Sequence, residues 1–393
     1  MDSSAAFSVS KLALPSHEQR GAYNFLACTA LTYQDTKGRT YLGRTLELTS
    51  SLPYQLLYIP SGQKFVSQVG AHQALPYATR LASLSVVMPD RLPTPQAPLT
   101  PVDFRVIEGF NEAGLTFSLL AYPDVGDEVS RTEGGAPVLA STDLGTWALG
   151  QFHDVAEVQA ALATTRVVAN AVELLGGTPA PFHYLICDHS GKSIVLEFHQ
   201  GCFHVYNNPV GVLTNGPEFP WHLTNLSNYT FLSNVDQSAA TFGRLAVRQP
   251  DSGIATASLP ASNTSVGRFV RAVFYREFAE KVADPDDAIR TLSHIMNNFD
   301  RPKGISVSAP GETGHLEVRG FSDAANAVPT EFTCWTNLTD LERRRIFLRT
   351  YDGLNYTMFD LPELAASAEP RILPLHSLDG LAADGTSGMK GFA

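Results

Sequence analysis

No run of apolar residues in this chain approaches the ~18 needed to cross a bilayer as a helix, so a soluble protein with no membrane insertion is expected. The opening stretch "MDSSAAFSVSKLALPSHEQRGAYNFLA" lacks a basic start and an apolar segment of about 7 to 15 residues. No secretory signal is evident, and that favours the cytoplasm. Basic residues are in deficit, with 28 Lys and Arg against 39 Asp and Glu and a net charge of −11. Binding a nucleic-acid backbone requires clustered cations, and the nearest cluster, Arg343, Arg344 and Arg345, reads as a solvated face. Cysteine is scarce too. The four present (Cys28, Cys187, Cys202 and Cys334) show neither CxxC nor Cys/His spacing, which argues against a disulfide framework or a structural zinc.

Catalytic signatures are also missing. The chain contains no GxSxG, P-loop, HExxH or GxGxxG, so serine-hydrolase, nucleotide-binding and zinc-protease chemistries lack their residues, and no metal or cofactor is implied. His183, His189, His199 and His204 stand close together in sequence, at spacings open to a metal site but more in keeping with strand and turn positions. A Gly/Ser- or Pro-rich linker with charge runs is absent as well. With 393 residues, 44% of them hydrophobic and 17% charged, one large domain over 28–393 is the expected organisation.

What is present reads as strands, helices, strands, helices, strands. "CTALTYQ" and "RTYLGRTLEL" are rich in Thr, Tyr and Leu and flank the turn "DTKG", which predicts a hairpin. "YQLLYIP", "DFRVIEGF" and "LTFSLLAY" predict further strands. From Asp143 to Asn170 the apolar spacing turns helical. "FHYLICD", "SIVLEF" and "CFHVYNN" predict a three-stranded meander, "SVGRFVRAVFYREFAEKV" and "PDDAIRTLSHIMNNF" two helices, and "EFTCWTNL" with "RRIFLRTYDG" a closing antiparallel pair. That order suits a layered α+β sandwich better than a doubly wound parallel sheet. Residues 233 to 264 carry no period, and a loop of that length is expected to be functional or a contact arm.

Cys28 stands where the first ordered strand begins. Free cysteines are mostly small buried hydrophobes, and that reading is the plain alternative here. If the Ala27–Cys28 bond were cut, however, one residue would carry both a thiol and an α-amine, and an α-amine titrates at about 7.7 to 8.0. Nucleophile and base would then sit on one residue. The hairpin should set Thr45, give or take one residue, opposite Cys28, bringing Arg44 and Glu47 within reach. A guanidinium near a thiol favours thiolate, whereas a one-residue slip would turn Arg44 to the other face. A strand-end surface pair is the alternative for these two. In "VGVLTNGPEFPW", Asn215 ends a strand where its amide can serve as an oxyanion donor, or simply begin a turn.

Taken in order, "CTALTY" with "GRTLEL", "EGFNEAGL", "HYLICDHSGKSIVLE", "GVLTNGPEFPWHLTNLSNY", "SVGRFVRAVFY" and "RPKGISV" resemble the choloylglycine hydrolases, the bile salt hydrolases and penicillin V acylases among the N-terminal nucleophile hydrolases. The resemblance runs from Cys28 to about Asp352. It implies a four-layer αββα fold, removal of residues 1–27, and hydrolysis of a linear amide, often by a homotetramer interlocked through an arm matching 233–264. By position it makes Cys28 the nucleophile and its freed amine the base, Arg44 the group that holds the thiolate or positions the substrate, Asn215 the oxyanion donor, and Arg268 the residue that completes the pocket's charge network. Two positions depart from the family pattern. Glu47 stands where Asp is usual, and Ala121, followed by Tyr122, stands where an Asn or Tyr contributes to the oxyanion site. Conjugated bile salts, penicillin V and N-acyl homoserine lactones all stay open as substrates, with Leu52, Leu56, Leu57, Leu119 and Tyr122 suiting an apolar acyl group. An unprocessed, non-catalytic binding or assembly protein on the same scaffold is the rival expectation.

Overall fold

The structure, a computed structural model, describes residues 27–126, 136–307 and 330–382. Strands β1 (Ala27–Gln34) and β2 (Thr40–Leu48) form the expected hairpin. Its turn is held by Asp35, whose Oδ1 accepts the backbone N–H groups of Lys37 (2.8 Å) and Arg39 (3.0 Å). Gly38 completes it at φ +77°, a conformation that a side chain would oppose. There follow β3 (Gln55–Ile59), β4 (Ser83–Pro89), β5 (Phe104–Asn111) and β6 (Thr116–Ala121), then helices α1 (Leu144–Gln151) and α2 (Val155–Leu162). The helical stretch read from Asp143 to Asn170 is thus two short helices. Asp154 caps the second by accepting the Glu157 N–H, and a short strand at Arg166–Val168 follows it.

The meander comprises β7 (Phe182–Cys187), β8 (Ser193–His199) and β9 (Cys202–Asn207), and a short β10 (Val212–Leu213) leads to α3 (Phe219–Asn225). Helices α4 (Ser265–Phe278) and α5 (Pro285–Met296) begin on Thr264 and Asp284, whose side chains accept N–H groups of the first turn. The closing strands are β11 (Phe332–Asp340), β12 (Arg345–Thr350), β13 (Thr357–Asp360) and β14 (Arg371–Pro374). Residues 233–264, expected to be without structure, contain an exposed two-stranded hairpin, Ala239–Phe242 with Leu245–Arg248.

These strands make two antiparallel sheets. One has the order β10-β1-β2-β11-β12-β13, the other β9-β8-β7-β6-β5-β4-β3-β14. Apolar residues of both sheets, among them Leu46, Leu56, Val86, Leu120 and Val195, share one core with α4 and α5. A second core lies between the other sheet and α1 and α2. The result is the α+β sandwich in four layers, helix, sheet, sheet, helix. Because β1 and β2 lie between a facing sheet and covering helices, both faces of the hairpin are buried along nearly its whole length. No helix among the described residues is long and apolar enough to cross a membrane.

The α1 layer packs closely on its sheet because residue 145 has no side chain. A Cβ there would stand 2.6 Å from Val106 Cβ and 2.9 Å from the Phe117 ring. Gly145→Ala is therefore expected to lower stability by about 1 to 3 kcal/mol, the cost of overpacking. A lowered thermal midpoint with secondary structure retained would show it; an unchanged midpoint would contradict the packing described.

Candidate active site

The β1–β2 register places Leu46 opposite Cys28 and Arg44 opposite Ala30. Because strand side chains alternate, Cys28, Leu46 and Arg44 share the face turned toward the second sheet, while Glu47, opposite Ala27, takes the other face. Arg44 is fully buried between the sheets, where an uncompensated charge would be costly. Strands β5 and β6 supply its partners. Its Nη1 donates to the Ile107 carbonyl (2.6 Å) and pairs with Glu108 Oε2 (3.1 Å), and its Nη2 donates to the Leu119 carbonyl. That same Nη2 lies 3.6 Å from Cys28 Sγ.

Burial pushes the Cys28 thiol above its ordinary range. Arg44 opposes this by charge and hydrogen bond, Glu47 adds to it, and the Ala121 backbone N–H lends further support to the thiolate. Burial still dominates, so in the uncut chain the sulfur keeps its proton. A base beside it is then needed for attack. Burial likewise works against the charge of Arg44, but a guanidinium loses its proton only far above neutral pH, and with Glu108 at 3.1 Å it stays ionised.

Behind the sulfur the Cys28 N–H donates to Asn215 Oδ1 at 2.9 Å. Asn215 has little freedom. Its Oδ1 also accepts Arg268 Nη2 (2.6 Å), its Nδ2 donates to the Ala121 carbonyl (2.8 Å), its N–H donates to Ser265 Oγ (2.9 Å), and its carbonyl accepts His222 Nε2 (2.9 Å). Burial depresses His222 to about 4, so the neutral ring donates this bond. Arg268, carried by α4, also donates to the Cys28 carbonyl and to Thr29 Oγ1 (2.9 Å). Burial and nearby Arg301 lower it to about 10, which leaves it charged at neutral pH.

Glu47 is buried completely. Its Oε1 accepts the Thr333 hydroxyl at 3.0 Å, and its Oε2 has no partner among the described residues. Desolvation raises it to about 7 against the pull of Arg301 and Arg268. From about 4.5 to about 7 the folded chain keeps a proton that the unfolded chain has released, so the stability this group contributes at low pH is lost as pH rises through that window. In the uncut Cys28→Ala chain, Glu47→Gln is expected to flatten the fall in thermal midpoint across it. An equally steep fall in both proteins would show that Glu47 does not titrate there.

A cavity of about 390 Å³ opens onto this group. Cys28, Arg44, Glu47 and Ala121 lie in its wall, and Leu46, Leu48, Leu52, Met88, Ile107, Leu119 and Phe182 make much of the rest apolar. Arg91 and Arg105 stand in the same wall, paired with Asp103 and Asp90. Of the five residues expected to receive an acyl group, Leu52 and Leu119 line the cavity. Leu56 and Leu57 belong to the two cores. Tyr122 is turned away: its ring stacks on His183 and its hydroxyl meets His199 Nδ1 at 2.6 Å. Asn215 and Arg268 lie behind Cys28 rather than in the wall. No group of three or more His, Cys, Asp or Glu among the described residues is placed to hold a metal ion.

Four participants were not singled out in the sequence: Glu108, Thr333, His222 and Ser265. Only Glu108 left a signal there, as a lone carboxylate within the apolar run "RVIEGF".

A family model described as linear amide C–N hydrolases, choloylglycine hydrolase family, matches residues 28–366. The bile salt hydrolase/transferase of Bifidobacterium longum is 28% identical over 301 residues, which span 76% of this chain and 90% of that protein. Among solved structures, a variant of conjugated bile acid hydrolase from Clostridium perfringens superposes with a TM-score of 0.73 at 22% identity, covering 90% of this chain and 99% of that one. Penicillin V acylase from Agrobacterium tumefaciens gives a TM-score of 0.66 at 20% identity, over 88% of this chain and 92% of the other. At these identities the two structures speak for the fold.

Proposed function

The chain belongs to the choloylglycine hydrolase family of linear amide C–N hydrolases, and from that premise we propose that Cys28, freed as the first residue by removal of residues 1–27, cleaves the amide of an N-acylated small molecule. One observation carries this reading: the sulfur lies 3.6 Å from a buried guanidinium, and its own backbone nitrogen, 2.9 Å from Asn215 Oδ1, is the atom that cutting would turn into an amine. An acceptor on that nitrogen leaves the amine's lone pair available for a proton.

In the proposed reaction the α-amine takes the thiol proton and Sγ attacks the acyl carbonyl. The negative oxygen of the tetrahedral intermediate is met by the Ala121 N–H and Asn215 Nδ2, and the ammonium returns its proton to the leaving nitrogen as the C–N bond breaks. Water, relieved of a proton by the same amine, then attacks the thioester, the C–S bond breaks as the ammonium returns its proton to sulfur, and the acid departs. Arg44 supports the thiolate, while Arg268 holds Asn215 and the Cys28 carbonyl. Glu47, where the family pattern has Asp, is the carboxylate whose charge bears on Cys28.

The apolar cavity wall supports a bulky apolar acyl group, as in a conjugated bile salt or penicillin V; an N-acyl homoserine lactone is the alternative on the same wall. Incubation of the purified protein with glycine and taurine conjugates, penicillin V and acyl homoserine lactones, with the released amine measured, tests the substrate class. Intact mass tests maturation. A protein that keeps residues 1–27 and hydrolyses none of these amides would support the unprocessed rival instead.

The proposal extends to a homotetramer. Phe231, Phe242 and Leu245 are exposed on or beside the arm, as expected of a surface that another subunit covers. Deletion of 239–248 is expected to lower the assembly mass measured by light scattering. An unchanged mass would remove the arm from the interface.

A further inference from the structure

We propose that His183 and Glu197 are positioning residues for the oxyanion-binding pair, holding the Asn215 loop and the Ala121 strand end in one fixed relation; this rests on the roles proposed above for Asn215 and Ala121. Both side chains are fully buried. The Thr214 carbonyl can only accept, so His183 Nε2, 3.0 Å away, carries a proton and donates it. The other ring nitrogen, Nδ1, lies 2.9 Å from Glu197 Oε2, and the Glu197 carboxylate also accepts the Phe219 N–H at 3.2 and 3.3 Å. The pair therefore grips the turn that carries Asn215 on both sides, one residue before it and four after.

The same imidazole reaches the second donor. Its face stacks on the Tyr122 ring, with centroids 5.0 Å apart and planes 21° from parallel. Tyr122 directly follows Ala121, whose N–H faces the sulfur, and the Tyr122 N–H is itself tied to the Pro181 carbonyl (2.7 Å), two residues before His183. One side chain on β7 thus contacts the immediate neighbours of both proposed donors. Asn215 Nδ2 to the Ala121 carbonyl, at 2.8 Å, closes the ring of contacts. Oxyanion donors act by being held in place before charge develops, so a small displacement of either weakens transition-state stabilisation without changing how substrate binds.

The test is the double variant His183→Phe/Glu197→Leu. Replacing both partners of a buried hydrogen bond by apolar groups of similar shape can be nearly neutral in stability, and the phenyl ring preserves the stack on Tyr122. With penicillin V and a glycine-conjugated bile salt as substrates, kcat is expected to fall by about 10- to 100-fold, less than loss of a donor outright, while KM stays near wild type. Alkylation of Cys28 by iodoacetamide forms no oxyanion, and its rate is expected to be unchanged. Should the double variant not fold, Glu197→Leu alone is expected to lower kcat and Glu197→Gln to retain it, because the amide still accepts from Phe219 and donates to His183 Nδ1. A wild-type kcat in the folded double variant or in Glu197→Leu overturns the proposal, and so does a parallel loss of alkylation. Asn215→Ala, measured alongside, separates two failures. If it slows hydrolysis and the clamp variants do not, only the clamp is wrong; if it too is silent, the role of Asn215 fails and the clamp with it.

Discussion

Cys28→Ala is expected to lower amide hydrolysis by a factor on the order of 10⁶, the scale of removing a catalytic nucleophile, and to leave residues 1–27 on the chain. Both effects follow from one atom. Burial keeps the thiol protonated despite Arg44, so attack requires the sulfur and a base beside it, and the proposed base comes into being only when the Ala27–Cys28 bond is cut. Cys28→Ser tests the same point more narrowly. A hydroxyl there is smaller and far less acidic than a thiol, and the expected result is again loss of hydrolysis. Intact mass spectrometry together with product-amine release reads both outcomes. Residual turnover at wild-type rate in Cys28→Ala would end the proposed chemistry.

Asn215→Ala is expected to reduce kcat by about 10²- to 10³-fold with a smaller effect on KM, as for loss of one oxyanion donor. Its consequences reach further than one donor, because the Asn215 amide also accepts from the Cys28 nitrogen and from Arg268. Truncation leaves the Arg268 guanidinium short of a buried partner, and slower release of residues 1–27 is expected along with slower turnover. Asn215→Asp distinguishes the two jobs: it keeps an oxygen for Cys28 N and Arg268 but exchanges the Nδ2 donor for an acceptor. Rapid maturation with poor hydrolysis in that variant would assign the donor role to Nδ2. Full hydrolysis in Asn215→Ala would require another group to meet the oxyanion.

Helix and strand identities were legible because they rest on local chemistry. Thr, Tyr and Leu alternate about a turn closed by Asp35 and Gly38, and Thr264 and Asp284 cap helices whose apolar spacing already announced them. The long stretch after Asp143 was harder. Its periodicity is helical, yet Asp154 offers a cap that starts a second helix, and a cap competes with continuation only through its neighbours in space. The hairpin between 239 and 248 was missed for the opposite reason: all of its residues are exposed, so no buried face imposed an alternation to read.

By itself the sequence determined that a cysteine opens the first strand of an antiparallel α+β fold and that the hairpin returns a guanidinium to its neighbourhood, because strand period and turn chemistry are short-range properties. Which face Glu47 takes, that Glu108 meets Arg44 from the opposing sheet, that Arg268 reaches Cys28 across 240 positions, and that Tyr122 turns from the cavity to stack on His183 were decided only by tertiary structure. Those outcomes depend on how two sheets stack and on which buried charges can find partners there, and no local pattern of residues encodes either.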